Sequence, residues 1–572
     1  MENFFLDNED LLFQLEHMDL DRVIRLYEDE FAEAAKYPYA PKDVADARDN
    51  YRRTIEIAGQ IAAEFMAPFA PEVDATGVKL VNGEVIMAPP TVKAWDMLSK
   101  AELTGLTFAR ANGGLNIPLT VLSMIGEMMS RADASFLNLG LQQDIGATLE
   151  RFGSAEQIAR IVPILARGEE GSAMILTEPD AGSDLQAVTL KATQTANGGW
   201  VLNGVKRFIT NGCGRIGLVL ARSEDREGAR GLSMFLYKRG KETLIRRVEE
   251  KLGIHGSPTC EMQFNNAPCE LVGERGRGLT KYTMWLMNSA RLSVASQGVG
   301  IGEAAFREAE KYARERCQFG KAIIEMPAVY EMLTEMRVAV EAGRSLLYET
   351  AKVVDLKEGL ERVSELHPEK SAELKADVKK YVRYAAFFTP IAKMYNSEMA
   401  NKVAYDAIQI HGGTGFMKDF NVERHARDAR ITNIYEGTTQ LQVVAAIGGV
   451  MAGTAINIID EYAAEDWSAL PVHLVKTLEK ARDSLERTIL HTKDTNSQEF
   501  LDFHARRLVE MATDLIMAWL LLRDARHSPR KLRLAETFIE RLQFRVKAHS
   551  EYITAEDAFF MKNYREILNI KA

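Results

Sequence analysis

Hydrophobic residues along the chain follow two spacings, and the change between them marks the predicted elements. Over residues 44–167 apolar positions recur at helical intervals, and the same period returns over 282–451 and again over 474–572. Between about 172 and 275 the apolar runs are short and alternating, and Asn-Gly turn dipeptides follow them, the first at Asn203–Gly204. The pattern predicts a mainly α protein with a central antiparallel β domain.

These boundaries divide the chain into five predicted parts. We expect an N-terminal extension at 1–43, a helical domain at 44–171, a β domain at 172–280, a helical bundle at 281–463 and an additional helical domain at 464–572. The last part shows apolar stripes at helical spacing and no chemistry of its own.

Two segments within the bundle needed separate interpretation. Residues 356–380 are rich in Glu and Lys, which favours solvated helix ends or a linker between two helices. Residues 437–459 carry no charge and are long enough to cross a bilayer. Their Gln, Thr, Asn and four Gly residues make the segment less apolar than a membrane span, so we expect a buried helix with a glycine-containing bend.

Composition narrows the classes of function. The chain has 572 residues, 46% hydrophobic and 27% charged, with a net charge of -10, which disfavours nucleic acid as a partner. Its four cysteines show no metal-ligand spacing, so we expect buried thiols, a reducing compartment and no metal. The acidic amino terminus resembles neither a secretory signal nor a transit peptide, and we therefore expect a cytoplasmic protein.

One carboxylate is the candidate for catalysis. Residues 430–440 read RITNIYEGTTQ, which places Glu436 between an aromatic residue and a glycine. In an apolar pocket such a carboxylate loses solvation, its pKa rises and it becomes a usable base near neutral pH. The alternative is a glutamate that caps a helix before a glycine turn.

Two motifs in the predicted β domain suit a bound cofactor. In the segment 176–184, LTEPDAGSD, small residues allow the backbone to approach a ligand, and Thr177 and Ser183 offer hydroxyls. The segment 208–212, FITNG, offers an apolar ring at Phe208. Read alone, the first could be an ordinary loop and the second a hairpin strand.

Two further motifs lie in the second helical region. The segment 314–321, RERCQFGK, contains Arg316, whose planar guanidinium suits pyrophosphate, although a solvated charge run is the alternative. The segment 409–416, QIHGGTGF, contains glycines that let the backbone meet a dinucleotide, and we interpret His411 within it as structural.

Together with YEGTTQ at 435–440, these motifs and the order of domains resemble the FAD-dependent acyl-CoA dehydrogenases. The resemblance implies that family's fold: a helical domain, a β domain and a four-helix bundle, here with an additional C-terminal helical extension. Such extended chains resemble the bacterial subgroup that includes the methylthiopropanoyl-CoA dehydrogenases. Phe208 stands where the family commonly has Trp, and Met326–Pro327 stands where many members have His-Gln, so the hydrogen bonds of those side chains do not carry over.

The resemblance also implies roles for individual residues. Glu436 would be the catalytic base. The FAD contacts would be Met174, Leu176, Thr177, Gly182, Ser183, Phe208, Ile209, Thr210, Arg316, Gln318, Phe319, Gln409, Gly412, Gly413, Thr438 and Gln440. The acyl-CoA contacts would be Ser183, Asn288, Arg291 and Gly437, with Arg291 at the nucleotide half of CoA or, alternatively, in a surface salt bridge.

The activity implied is oxidation of an acyl-CoA thioester to the trans-2-enoyl-CoA, with hydride transfer to FAD and electrons passed to an electron-transfer flavoprotein. The resemblance further implies a homodimer or homotetramer, because the arginine of the R-x-x-F-G motif serves the adjoining subunit. An acyl-CoA oxidase using O2 and an enoyl-CoA reductase remain alternatives, since both would use the same site. A non-catalytic, nucleic-acid-associated relative is a remote one.

Overall fold

The computed structural model describes residues 2–140, 143–555 and 559–571. The helices are α1 Glu9–His17, α2 Asp21–Tyr27, α3 Val44–Ile61, α4 Ala70–Thr76, α5 Pro89–Lys100, α6 Leu119–Ala132, α7 Ala134–Gly140, α8 Asp144–Phe152, α9 Ala155–Ala166, α10 Met284–Glu315, α11 Pro327–Leu366, α12 Ser371–His411, α13 Val422–Thr432, α14 Thr439–Met451, α15 Thr454–Ala463, α16 Val472–Asp494, α17 Gln498–Asp524, α18 Pro529–Thr554 and α19 Phe559–Ile567. The strands are β1 Lys79–Val81, β2 Glu84–Ile86, β3 Ser172–Ile175, β4 Lys191–Gln194, β5 Trp200–Thr210, β6 Ile216–Arg222, β7 Leu232–Lys238, β8 Thr243–Val248, β9 Thr259–Val272, β10 Cys317–Gln318 and β11 Lys321–Ala322.

The first helical region forms as its apolar period predicts, with one addition. In α3 the side chain of Asp43 caps the first turn, and Ile55 and Ala58 are buried. The region also contains an antiparallel hairpin of β1 and β2, which the helical interpretation missed. Asn82 and Gly83, both at positive φ, form its turn.

The central sheet has the strand order β3-β6-β4-β5-β9-β7, and β8 pairs with β9. A further pairing of β6 with β7 closes the path into a ring. Most pairs are antiparallel as expected, but β3 runs parallel to β6, and β4 also meets β6 in parallel. The prediction of a turn at Asn203–Gly204 is wrong, because β5 continues through it with only a register shift beside Asn203.

The second helical region is a bundle of the long helices α10, α11 and α12 with α14. Residues 356–380 form the end of α11 and the start of α12, in line with the prediction of helix ends. The uncharged segment forms α14 and α15, bent by 68° at Gly453, which has φ +84°. No single described helix is long and apolar enough to span a membrane, although this bent pair meets the criteria of length and composition.

Both ends of the chain pack onto the bundle through a buried ionic cluster. Arg344 of α11 contacts Asp10, Glu127 and Glu303 at 2.5, 2.6 and 2.9 Å. Lys531 of α18 pairs with the same Asp10 and with Glu341 of α11. The cluster therefore connects α1, at the beginning of the chain, with α6, α10 and α11 and with α18 in the C-terminal block.

The expectation that all four cysteines are buried is only partly right. Cys260 is buried in β9, Cys213 and Cys269 are half-buried, and Cys317 is exposed in the β10–β11 hairpin. Cys317 is exposed because it lies in the hairpin that follows the end of α10 at Glu315, and local sequence gave no sign of this.

Candidate active site

A cavity of about 1100 Å³ lies between the central sheet and the helical bundle. It exceeds the range of about 300–1,000 Å³ that is typical of a single small-molecule site, so it can hold parts of two ligands. Of the residues predicted for the site, those that line the cavity are Met174, Leu176, Thr177, Gly182, Ser183, Phe208, Ile209, Thr210, Arg291, Glu436, Gly437 and Thr438.

Glu436 lies between α13 and α14 with its backbone in the left-handed region, at φ +53°. Three side chains hold the carbonyl groups on either side of Gly437. Arg291 and Gln442 donate to the Glu436 carbonyl at 3.4 and 3.1 Å. Gln442 and Lys393 donate to the Gly437 carbonyl at 2.9 and 2.7 Å. These bonds stabilise a backbone conformation that a glutamate rarely adopts.

The electrostatic surroundings of Glu436 suit a base. Burial and, to a smaller extent, the neighbouring Asp144 carboxylate raise the pKa of Glu436 to about 7, against the opposite effect of Arg291 and Lys393. Burial likewise lowers the pKa of Lys393 to about 7. Near neutral pH the Glu436 carboxyl can therefore both lose and accept a proton.

The backbone N–H of Glu436 is also available. Among the described residues it donates to no protein acceptor, although it lies at the wall of the cavity. A free backbone donor beside a basic carboxylate can hydrogen-bond a ligand oxygen whose α-carbon faces that carboxylate.

The loop 176–184 is fixed from below by a buried ion pair. Lys206, fully buried in β5, donates to the Leu176 carbonyl at 2.6 Å and pairs with Glu178 at 3.0 Å. The Glu178 carboxylate also accepts from both N–H groups of Thr189 and Leu190. Glu178 is therefore a structural residue of the loop, and Gly182 and Ser183 are left facing the cavity.

Phe208 reaches the cavity because β5 is irregular there. The pairing of β5 with β9 shifts register between Lys206 and Ile209, and Phe208 has φ +60°. Such a bulge re-aims a side chain that would otherwise follow the strand's alternation. The ring is half-exposed, and the Arg207 guanidinium lies 4.5 Å from its centroid.

Several predicted residues lie outside the cavity. Arg316, Gln318, Phe319, Gln409, Gly412 and Gly413 belong to an exposed surface at the ends of α10 and α12, which we call the bundle-end face. Stacking of Tyr312 on His411, with centroids 4.3 Å apart, holds these two ends together. The interpretation of His411 as structural agrees with this contact. Phe319 is 94% exposed.

Three other predictions change in position. Gln440 is exposed in the first turn of α14 and does not line the cavity. Asn288 is also outside the lining, and it accepts from Arg291 at 3.1 Å. Arg291 is buried beside Glu436, lines the cavity and forms no ion pair among the described residues, which disfavours the surface salt bridge. Its contact with the nucleotide half of CoA stays a prediction. The structure makes it a neighbour of the base.

Sequence reasoning missed Asp144 and Lys393. Asp144 begins α8 and lines the cavity, where burial raises its pKa to about 6 and Ser289 donates to it at 2.5 Å. Lys393 lies in the middle of the long α12. Neither residue belongs to a motif; the only available signal for Lys393 was a lysine within an apolar stretch of helix.

Several residues of the cavity lining suit a bound FAD. Phe208 supplies an apolar ring, and a Cβ at Gly182 would meet only Thr177, at 3.7 Å, which leaves room for a ligand. Within the described part of the chain, the Thr177 and Thr210 hydroxyls hydrogen-bond to no protein group and so can serve a cofactor. The residues present fit a flavin.

Comparison with known proteins agrees with this site. Residues 49–169, 173–267 and 276–447 match, in that order, the N-terminal, middle and C-terminal domains of acyl-CoA dehydrogenases. Residues 451–559 match the family described as "Acyl-CoA dehydrogenase C terminal". The matches cover the β domain, the bundle and the C-terminal helices.

Individual relatives extend the comparison. The chain is 36% identical over 431 residues to 3-methylmercaptopropionyl-CoA dehydrogenase of Ruegeria pomeroyi, covering 70% of each chain. It is similar to the structure of butyryl-CoA dehydrogenase from Megasphaera elsdenii, with TM-score 0.60, 28% identity and coverage of 70% of this chain and 98% of that one. An acyl-CoA dehydrogenase from Bacillus anthracis complexed with FAD shares the fold over 91% of each chain, with TM-score 0.76 and 21% identity. The chain therefore belongs to the acyl-CoA dehydrogenase family of FAD-dependent oxidoreductases.

Proposed function

We propose that the protein oxidises an acyl-CoA thioester to the trans-2-enoyl-CoA, with Glu436 as the base that removes the proton from Cα. The observation that carries this proposal is the position of Glu436: a basic carboxylate and a free N–H of the same residue line a cavity that fits a flavin. When bound, FAD supplies the acceptor for the hydride that leaves Cβ.

The side chains around Glu436 have separate tasks in this proposal. The Glu436 carboxylate takes the Cα proton, and its own N–H donates to the thioester oxygen, where negative charge develops. One such donor is worth about 3 kcal/mol of transition-state stabilisation. Arg291, Lys393 and Gln442 hold the peptide groups at Glu436 and Gly437, so that carboxylate and N–H both keep their orientation.

The wall opposite the helices shields the reacting centre. Leu176 and Ile209 are buried, Phe208 offers its ring, and Thr177 and Thr210 hold free hydroxyls towards the cavity. We infer that this wall receives the flavin and excludes water, which sustains the raised pKa of Glu436.

The segment 251–259 closes another side of the cavity, and we propose that it contacts the CoA part of the substrate. Lys251 donates to the Ser257 carbonyl at 2.9 Å, and His255 contacts the Lys251 carbonyl at 2.8 Å. Ile254, at φ +47°, donates its N–H to Asp428 at 2.5 Å. The first two bonds hold the segment's own shape, and the bond to Asp428 fixes it against α13.

We also propose that a second copy of the chain completes the FAD-binding site. The bundle-end face carries an arginine, two glycines and the aromatic side chains of Phe319 and Phe416, 94% and 78% exposed. Large aromatic side chains that are this exposed in a single chain favour a surface that another protein chain covers. We therefore propose a homodimer or homotetramer in which Arg316 pairs with the FAD pyrophosphate of the adjoining subunit, and a cytoplasmic enzyme that passes its electrons to an electron-transfer flavoprotein.

The oligomer has a direct test. Arg316→Ala should lower FAD affinity about tenfold or more, since a charge-assisted bidentate pair is lost. FAD affinity is measured by flavin fluorescence on dilution and mass by light scattering. Arg314→Ala is the matched control, because Arg314 is an exposed arginine two residues away that pairs with Glu310. A monomer with full FAD occupancy would contradict the proposal.

The reaction itself is tested by anaerobic titration of the yellow protein with a panel of acyl-CoA thioesters that differ in chain length, branching, ring and heteroatom. Bleaching of the flavin absorbance with formation of the trans-2-enoyl product supports the proposal. Absence of bleaching with every thioester in the panel would contradict it. Peroxide release in air compared with reduction of an electron-transfer flavoprotein separates the oxidase from the dehydrogenase.

A further inference from the structure

Two thiols meet behind the wall of the cavity. Cys213 lies in the turn that follows β5, and Cys260 lies in β9, where it is the cross-strand partner of Ile209. The Cys213 thiol donates to the Asn211 side-chain oxygen at 3.5 Å, and the Cys260 thiol is its neighbour. Cys213 also packs against the hydrophobic cluster that contains Cys260 and Ile209. The turn after β5 is therefore joined to the beginning of β9.

The backbone holds the two thiols together. The N–H of Asn211 donates to the Pro258 carbonyl at 2.6 Å, and the N–H of Gly214 donates to the Asn211 carbonyl at 2.7 Å. A Cβ at Gly212 would stand 2.9 Å from the Cβ of Cys260, so the turn passes β9 at a distance that requires glycine. The turn is thus fixed against β9 beside Cys260.

The two thiols differ in exposure and in charge. Cys260 is fully buried, whereas Cys213 is half-buried and can be reached from solvent. The neighbouring Cys260 thiol and the nearby Arg239 lower the pKa of Cys213, whereas the neighbouring Cys213 thiol and burial raise the pKa of Cys260. Since the thiolate is the reactive form, Cys213 is the thiol that attacks and Cys260 the one that follows.

We propose that Cys213 and Cys260 form a reversible disulfide when the protein meets a peroxide. The Cys213 sulfur attacks one oxygen of hydrogen peroxide, the O–O bond breaks, and Cys213 sulfenic acid and water form. The Cys260 sulfur then attacks the Cys213 sulfur, and the hydroxyl leaves with the Cys260 proton as a second water. The two thiols lose two electrons in total, and the peroxide gains them.

The bond would lie on the back of the cavity wall. Thr259 lines the cavity while the next residue, Cys260, points into the core, as alternation along a strand requires. Ile209 and Thr210, which line the cavity, immediately precede the turn that holds Cys213. The disulfide would tie these two strands together without entering the cavity, and its formation does not depend on the proposed reaction.

The test uses the full-length protein in which Cys269 and Cys317 are replaced by Ser, so that only the pair remains. After peroxide, thiol titration in denaturant should fall from two thiols per chain to none and should return to two after dithiothreitol. In the further variant Cys213→Ser the buried Cys260 should stay reduced. In Cys260→Ser a dimedone adduct should accumulate on Cys213, because its sulfenic acid has no partner.

Peptide mapping of the oxidised wild-type chain tests the pairing in the natural sequence. Trypsin places Cys213 in residues 208–215 and Cys260 with Cys269 in residues 252–275. The proposal predicts a linked pair of these peptides that survives Cys269→Ser and disappears in Cys260→Ser. It is overturned if the two thiols persist under peroxide that already oxidises the exposed Cys317, or if Cys213 links only to Cys269 or Cys317.

Discussion

At the scale of single residues, the unusual backbone of Glu436 explains why so many side chains surround it. A left-handed conformation costs a non-glycine residue on the order of 1 kcal/mol or more, which the neighbours must offset. Arg291, Lys393 and Gln442 do so by donating to the two adjacent carbonyls. With both carbonyls so occupied, the carboxylate and N–H of Glu436 remain free for a ligand.

The charge of Asp144 gives the first prediction. Glu436 must be deprotonated to act as a base, so kcat/KM should rise as pH increases through about 7. The Asp144 carboxylate raises the pKa of Glu436, and Asp144→Asn removes that repulsion. The acid limb of the profile of kcat/KM against pH should therefore move to lower pH.

Asp180→Asn is the control for this shift, because Asp180 is an exposed carboxylate in the loop 176–184 outside the cavity lining. Its pH profile should match that of the wild type. A limb that stays in place or moves to higher pH in Asp144→Asn would mean that the two carboxylates do not interact.

The motif around Glu436 was sufficient to single out this carboxylate as the candidate base, but it did not predict the side chains around it. A short segment contains the base, its glycine and the helix start, so local sequence identifies them together. Arg291, Lys393 and Asp144 come from three other helices, α10, α12 and α8, and only packing brings them to Glu436. The structure gives the positions of the predicted cofactor and substrate residues. Their roles stay predictions.

At the scale of elements, the loop 176–184 in the cavity wall depends on one buried lysine. Lys206 in β5 fixes the loop 176–184 through the Leu176 carbonyl and Glu178. Burial lowers the pKa of Lys206 to about 8, against the attraction of Glu178. The cation therefore depends on its carboxylate partner, and the loop depends on both.

Lys206→Met should release this loop. The Glu178 carboxylate would be left without its cation and the Leu176 carbonyl without its donor, at a cost of about 1–3 kcal/mol. If part of that cost falls on the bound state, FAD affinity should decrease about tenfold. Lys191→Met, in exposed β4, is the control and should keep FAD. Equal FAD affinity in the two variants would show that Lys206 does not position the loop.

The elements also show what pattern alone can predict. Long helices followed from their apolar period, and the bend between α14 and α15 followed from the glycines of that segment. The parallel direction of β3 did not, because alternation of side chains is the same in parallel and antiparallel strands. The β1–β2 hairpin could have been found from Asn82–Gly83, whereas Asn203–Gly204 carried the same signal and is strand, since pairing with β9 overrides it.

At the scale of the whole molecule, the buried ionic cluster ties both ends of the chain to the bundle. Buried charges are costly unless every one is paired, so removal of one partner should be far more damaging than loss of a surface pair. Arg344 holds three carboxylates from three different helices and is itself fully buried. No apolar side chain could satisfy those carboxylates.

Arg344→Met should therefore destabilise the protein by about 3–5 kcal/mol and lower its thermal midpoint by several degrees. Arg53→Met is the control, because Arg53 is largely exposed and pairs with Asp49 on the same helix, a contact worth about 0.5 kcal/mol or less. Differential scanning fluorimetry of both variants provides the comparison. Equal thermal midpoints in the two variants would mean that the cluster does not stabilise the packing of the two chain ends onto the bundle.

The central claim is that the Glu436 carboxylate removes the substrate's Cα proton, and its most direct test is the rate of flavin bleaching by acyl-CoA in Glu436→Gln under anaerobic stopped flow. The variant should retain FAD and bind acyl-CoA, yet bleach at least about 100-fold more slowly, because an amide cannot accept the proton. Glu102→Gln is the matched control, since Glu102 has a similar φ of +58° but lies exposed on the surface. Bleaching at the wild-type rate in Glu436→Gln would contradict the account.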